Sequence, residues 1–205
     1  VTTAAAMRVV LVDAGGANLG SVRYALRRLG VEAEVSRDAA AIRAADRVIL
    51  PGVSTAATVM RRLAELGLVE VLRSLQAPLL GVCVGMQLLF EHSEEDDTPC
   101  LGLLPGRVAR LRQAPGLRIP HMGWNRLQPL RRDPLTEGIA PGAWAYFVHS
   151  YAAAPGQDCL LASEHGVSFA AVVRRGAVAG AQFHPERSGP AGARLLANFL
   201  GAGMA

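Results

Sequence analysis

The stretch Leu79-Leu80-Gly81-Val82-Cys83-Val84-Gly85-Met86-Gln87-Leu88-Leu89-Phe90 restricts the fold more than any other. An apolar run enters Gly-x-Cys-x-Gly, and a helical pattern begins directly after the second glycine. Such a pattern asks for a strand, a sharp turn and a helix, with the cysteine at the apex. Small residues on both sides let the turn strain, so that Cys83 stands clear of the sheet edge. At a helix N-terminus, partial positive charge and free N–H groups favour a thiolate. The N–H of Val84 is then available to a developing oxyanion. The competing reading is a small buried hydrophobe between two packing glycines, because free cysteine is among the most buried residue types. What decides between the two lies far downstream.

Half of the 205 residues are apolar (51%) and 19% are charged, which predicts one domain with a full core over residues 7–205. Residues 1–6 read as an appended remnant or extended start ahead of Met7 and are set outside the fold. The apolar runs are too short to span a bilayer. Three cysteines, Cys83, Cys100 and Cys159, show no CxxC or Cys/His spacing. Neither a disulfide framework nor a metal site is expected, and a reducing cytoplasm is the expected compartment. All 21 basic residues are arginines, scattered singly or in pairs. The net charge of +4 therefore comes without the basic block and interleaved aromatics that nucleic-acid binding needs, and no such partner is expected.

Residues 8–13 read as a buried strand of the kind found in parallel sheets. The loop Ala14-Gly15-Gly16-Ala17-Asn18 leads into a helix with Leu19, Val22, Leu26 and Leu29 on one face, stopped by Gly30. GxGxxG is absent there, so no dinucleotide cofactor is expected. A strand over 31–36, a short helix capped by Asp38, and a strand over 47–50 follow. That strand runs out into Pro51-Gly52-Val53-Ser54, then helices over 55–66 and 68–75, then the cysteine turn. The alternation predicts an α/β fold: a doubly wound sheet with helices on both faces and ligands at the carboxyl ends of the strands. After an acidic loop over 91–97 come strands near 107–111, 144–151, 160–164, 169–174 and 178–183. Their meander-like spacing makes the sheet mixed. Pro190 opens a last helix with Leu195, Leu196, Phe199 and Leu200 on its core face.

The strand over 178–183 ends in His184-Pro185-Glu186. On extended chain, residues two apart point the same way, so His184 and Glu186 can share a face. Pro185 marks where sheet pairing stops. A cysteine nucleophile needs a base for its proton, and the imidazole needs a carboxylate to fix its tautomer. Alone, the pair would read as a turn histidine and a solvated charge. With an elbow cysteine on the same sheet edge, it reads as base and orienter.

The segments Gly-Val-Cys-Val-Gly-Met-Gln-Leu-Leu-Phe (81–90) and Gln-Phe-His-Pro-Glu-Arg-Ser-Gly (182–189) resemble the motifs of the class I (triad) glutamine amidotransferases. Pro-His-Met-Gly-Trp-Asn (120–125) and Tyr-Phe-Val-His-Ser-Tyr (146–151) resemble, within that class, the glutaminase subunits of imidazole glycerol phosphate synthase. The resemblance spans nearly the whole chain from Met7. It implies a three-layer, flavodoxin-like fold without cofactor or metal. It also implies that Cys83 forms a γ-glutamyl thioester while His184 shuttles the proton and Glu186 orients it. The N–H groups of Val53 and Val84 would form the oxyanion hole, with Gly52 and Ser54 in the same strand. Gln87 and Glu95 would hold the glutamine head group, Glu95 facing its ammonium, and the backbone of His149, Ser150 and Tyr151 would line the site. Ammonia would pass to a (βα)₈-barrel cyclase subunit in a heterodimer, serving histidine biosynthesis.

A docking face would include Pro120, His121, Met122, Trp124 and Asn125, and by resemblance Asn18, Tyr146 and Arg187. An aromatic and a methionine in a Pro/Gly-bounded loop fit an interface, although Trp124 could instead plug the domain's own core. There are departures from the family. Asp13-Ala14-Gly15-Gly16-Ala17-Asn18 lacks the usual tyrosine, Arg187 stands for lysine, and Ser54 stands where glycine is usual. A Cβ at Ser54 would oppose a peptide flip in the oxyanion strand. An amidotransferase subunit of a different synthase, a self-sufficient γ-glutamyl hydrolase and a decayed docking module are the alternatives.

Overall fold

The computed structural model describes residues 7–15, 18–113 and 116–201. The six residues at the start, and Gly16 and Ala17 of the first loop, lie outside that set. The first half is built as the alternation predicts: β1 (Val9–Val12), α1 (Leu19–Arg28), β2 (Ala33–Ser36), α2 (Ala39–Arg43), β3 (Arg47–Gly52), α3 (Ala56–Glu65), α4 (Val69–Arg73), β4 (Leu79–Cys83) and α5 (Val84–Gln87). Local chemistry sets the boundaries. Gly30, at φ +78, ends α1 with its N–H on the Arg27 carbonyl and the Val31 N–H on Leu26, a Schellman closure. The Asp38 carboxylate takes the N–H groups of Ala40 and Ala41 to start α2, and the Thr55 hydroxyl takes that of Thr58 to start α3.

The second half supplies β5 (His92–Ser93), β6 (Thr98–Pro99), β7 (Arg107–Arg110), β8 (His121–Arg126), β9 (Gln128–Pro129), β10 (Trp144–His149), β11 (Tyr151–Ala153), β12 (Cys159–His165), β13 (Val167–Arg175), β14 (Val178–Ala181) and α6 (Gly189–Leu200). The main sheet has the order β2-β1-β3-β4-β14-β13-β12-β9. Strands β2, β1, β3, β4 and β14 are mutually parallel, and β13, β12 and β9 continue antiparallel. Mixed character is thus as expected, with β4 and β14 adjacent although far apart in sequence. One apolar core runs from Val9 to Leu200. No helix among the described residues is long and apolar enough to cross a membrane.

Four expectations need correction. Residues 121–126 are a strand, not a loop, paired antiparallel with β10 so that Trp124 faces Tyr146 and His121 faces His149. The stretch 144–151 breaks at Ser150 into two strands, β10 in that two-stranded ribbon and β11 in a separate four-stranded sheet of order β11-β7-β5-β6. The later strands therefore divide among three sheets, and only β9, β12, β13 and β14 extend the main one. Last, the helix after the cysteine turn is only the four residues of α5. Its aligned peptide dipoles are few, so free N–H groups at the turn count for more than a macrodipole.

Candidate active site

Cys83 closes β4 at φ 56 and ψ −113, a backbone state that L-residues avoid and that persists only where the surroundings enforce it. The neighbouring glycines make that enforcement possible. A Cβ on Gly85 would overlap the Leu50 carbonyl oxygen, and one on Gly81 would overlap the carbonyl of Gly85. β3 and the elbow therefore touch backbone to backbone, with Gly52 in register with Cys83. That contact brings the segment expected to form the oxyanion hole beside the thiol. Cys83, Val84, Val53 and Ser54 all line one cavity of about 520 Å³.

β14 runs parallel to β4 in register, Ala181 beside Val82, and so carries His184 to the same cavity. The His184–Glu186 pair does form, Nδ1 to Oε1 at 3.0 Å, but not on extended chain. Pro185–Arg187 is a 3₁₀ turn, which folds the carboxylate back onto the ring. Ser188 fixes the turn against β10, donating to the His184 carbonyl (2.7 Å) and accepting from the Tyr146 N–H (2.9 Å). The His184 N–H in turn donates to the Tyr146 carbonyl.

Burial is the largest single influence on His184 and pulls its pKa down. Hydrogen bonds to Cys83 and Glu186, with their charges, outweigh it and raise the value well above the ordinary one. Burial likewise works to raise Glu186, and the His184 contact outweighs it, so the carboxyl titrates lower than usual. The Glu186 side chain is 1% exposed. The site is thus arranged to hold an imidazolium between a carboxylate and a sulfur.

The expected substrate contacts gather in the same cavity. Gln87, Glu95, His149, Ser150 and Tyr151 line it with the thiol. The Glu95 carboxylate accepts the Ala56 N–H at 2.7 Å, capping α3 just beyond Ser54. Burial raises the pKa of Glu95, partly offset by that bond. Gln87 spends both N–H groups internally, on the Tyr151 carbonyl (2.8 Å) and on Gln182 Oε1 (3.1 Å).

The expected docking residues divide. Met122 and Trp124 stand exposed, at 64% and 54%, so Trp124 does not plug the core. Pro120 is exposed beside them, and Trp124 meets Tyr146 edge to face. His121 turns inward instead, stacked on Phe147 and His165, because alternate residues of a strand face opposite sides. Asn125 is half-buried and bonded to His121 and to the Glu164 carbonyl. Asn18, Tyr146 and Arg187 line the cavity with the thiol. Asn18 caps α1 without a side-chain bond to it; its amide donates instead to Glu186 Oε1 at 2.5 Å.

Two residues went unrecognised by sequence reasoning. One is Asn18 as the carboxylate's second partner, which no local signal marks. The other is Gln182, fully buried, with its amide nitrogen 4.0 Å from Cys83 Sγ. A lone amide in the apolar run of residues 178–183 was the available signal.

Residues 10–202 match the family model described as Glutamine amidotransferase class-I, and the chain belongs to that family. Among individual proteins, it is 62% identical over 192 residues to the imidazole glycerol phosphate synthase subunit HisH of Xylella fastidiosa (strain Temecula1 / ATCC 700964), covering 94% of this chain and 96% of that one. The subunit HisH of Xanthomonas oryzae pv. oryzae (strain MAFF 311018) matches with the same identity and coverage. A solved structure titled as a glutamine amidotransferase superposes with a TM-score of 0.72 at 26% identity, covering 93% of this chain and 96% of that one.

Proposed function

We propose that this chain is the glutaminase subunit of an imidazole glycerol phosphate synthase, hydrolysing glutamine to glutamate and ammonia for histidine biosynthesis. The observation that carries the reading is that Cys83 and His184 line one cavity at the ends of the adjacent strands β4 and β14, with Glu186 buried behind the ring and bonded to its Nδ1. Identity of 62% to two HisH subunits supports the choice of synthase.

In this mechanism the Cys83 sulfur attacks the side-chain carboxamide carbon while His184 holds the thiol proton. The N–H of Val84, joined by that of Val53, stabilises the oxyanion. Collapse breaks the C–N bond, and His184 returns the proton to the leaving nitrogen, releasing ammonia and a γ-glutamyl thioester. Water, deprotonated by His184, then attacks the thioester and frees glutamate and the thiol. Glu186 fixes the imidazole through Nδ1, leaving Nε2 for the sulfur. Glu95 keeps one oxygen for the α-ammonium of glutamine while the other holds Ala56.

Ammonia passes to a (βα)₈-barrel cyclase subunit that docks over Met122, Trp124, Tyr146 and Arg187 in a heterodimer. There it enters the formation of imidazole glycerol phosphate and an aminoimidazole carboxamide ribotide. Three buried free cysteines suit a reducing cytoplasm. Glutamate release with the cyclase and its nucleotide present tests the assignment: Cys83→Ala abolishes it under this reading, and normal turnover by that variant would refute it.

A further inference from the structure

A continuous run of hydrogen bonds connects the outward-facing ribbon to the nucleophile, and backbone groups fix its direction at three points. At the outer end, Asn125 Oδ1 accepts the Arg126 N–H (2.8 Å), so Nδ2 is committed as donor to the Glu164 carbonyl (2.6 Å) and to His121 Nε2 (3.2 Å). His121 Nε2 is therefore an acceptor, and the ring's proton sits on Nδ1, facing His149 Nε2 at 3.0 Å. His149 in turn must carry its proton on Nδ1, because the partner there is the Tyr151 carbonyl at 2.9 Å, which can only accept. Both rings are buried, and an added proton on either would put two donors face to face.

The same Tyr151 carbonyl takes a second donor, Gln87 Nε2. The other N–H of Gln87 goes to Gln182 Oε1. Gln182 cannot then rotate its amide: oxygen toward Gln87 means nitrogen toward Cys83 Sγ. An unrestrained glutamine here could present its carbonyl, and a carbonyl dipole aimed at a thiolate is repulsive where an N–H is attractive.

We propose that Gln182 is a positioning residue for the Cys83 thiolate, its amide held donor-first by Gln87, which the Tyr151 carbonyl fixes as a donor; His149, braced by His121 and Asn125, donates to the same carbonyl and holds it in place. This rests on Cys83 being the nucleophile of the proposed glutaminase. This run of bonds has a consequence that a packing role lacks: its members act through one amide, so their effects on the sulfur do not add.

The test uses the subunit in complex with its cyclase. The rate of Cys83 carbamidomethylation by iodoacetamide is read peptide by peptide across pH 5 to 10, beside glutaminase kcat and KM. Gln182→Glu, which places an acceptor and a charge at the sulfur, is expected to move the alkylation midpoint upward by about one pH unit or more. Gln182→Met, of similar volume and without a donor, should lower kcat roughly tenfold or more and move KM less than about threefold. His121→Leu should lower kcat in the same direction. The double variant His121→Leu/Gln182→Met should be no slower than Gln182→Met alone.

An unmoved alkylation profile in both Gln182 variants, with circular dichroism and thermal melts showing them folded, overturns the proposal. Should Gln182→Glu not fold, Gln182→Met decides by the same profile and kcat. Strict additivity in the double variant also overturns it, since it separates the histidines from the thiol. Wild-type complex that releases no glutamate, or Cys83→Ala complex that does, removes the glutaminase reading itself, and is told apart by being seen before any Gln182 variant is compared.

Discussion

Glu186 is a buried carboxylate whose two identified partners sit on one oxygen, His184 from its own turn and Asn18 from the start of α1. A side chain held in this way fixes a tautomer only as well as its second donor holds it. Asn18→Ala should lower kcat about tenfold with little change in KM, and Glu186→Gln should cost roughly 10²- to 10⁴-fold; steady-state glutamate release measures both. Ser54 supplies a third prediction at this scale. It does not share the positive φ that Asn18, Cys83, Asp96 and Asp97 show, so its Cβ carries no strain in this conformation. Only a reversed peptide in the proposed oxyanion strand would bring a penalty of about 1–2 kcal/mol. Ser54→Gly should therefore raise the cyclase-stimulated rate and leave the unstimulated rate alone; equal stimulated rates would remove the idea.

Among the elements, the elbow and the β8–β10 ribbon carry opposite lessons. The elbow was legible because only glycines permit its contacts, and because the His184-Pro185-Glu186 strand end downstream decided against the reading of Cys83 as a buried structural cysteine. Gly85→Ala, forced into the Leu50 carbonyl, should cost roughly 3 kcal/mol or more, read by chemical denaturation. The ribbon was illegible because its alternation is inverted. His121 and Asn125 face inward while Met122 and Trp124 face out, so polarity alone reads as a loop. The 3₁₀ turn at Pro185–Arg187 hid for another reason: two geometries bring residues two apart together, and the sequence favours neither.

The inward histidines also make the ribbon sensitive to acid. Burial lowers His149 to about 3 and His121 to about 4. Unfolding lets both take up protons below the ordinary value near 6.5, which the folded chain refuses. Stability is thus full above pH 6.5 and falls as pH drops through the window down to 4 and then 3, by up to about 1.4 kcal/mol per pH unit for each ring. The melting temperature of His121→Leu, measured from pH 7 to pH 4, should decline less steeply than that of the wild type; parallel declines would contradict the assignment.

For the molecule as a whole, the sequence disclosed the parallel half of the sheet and the two strand ends that meet at the cavity. It did not disclose that the later strands divide among three sheets, since pairing partners depend on contacts between distant residues rather than on local pattern. What that division accomplishes is a ribbon beside the main sheet, with Met122 and Trp124 turned outward and His121 and Asn125 packed against β12 and β13. Trp124→Ala should leave the fold intact, because the ring is half exposed, and, if the proposed docking face is right, weaken cyclase binding roughly thirtyfold, as the loss of an aromatic anchor does; titration calorimetry reads it. The most direct test remains glutamate release by the subunit alone and with the cyclase and its nucleotide, wild type beside Cys83→Ala. The account predicts slow release alone, stimulation of roughly tenfold or more in the complex, and none from Cys83→Ala; unchanged release by that variant would contradict it.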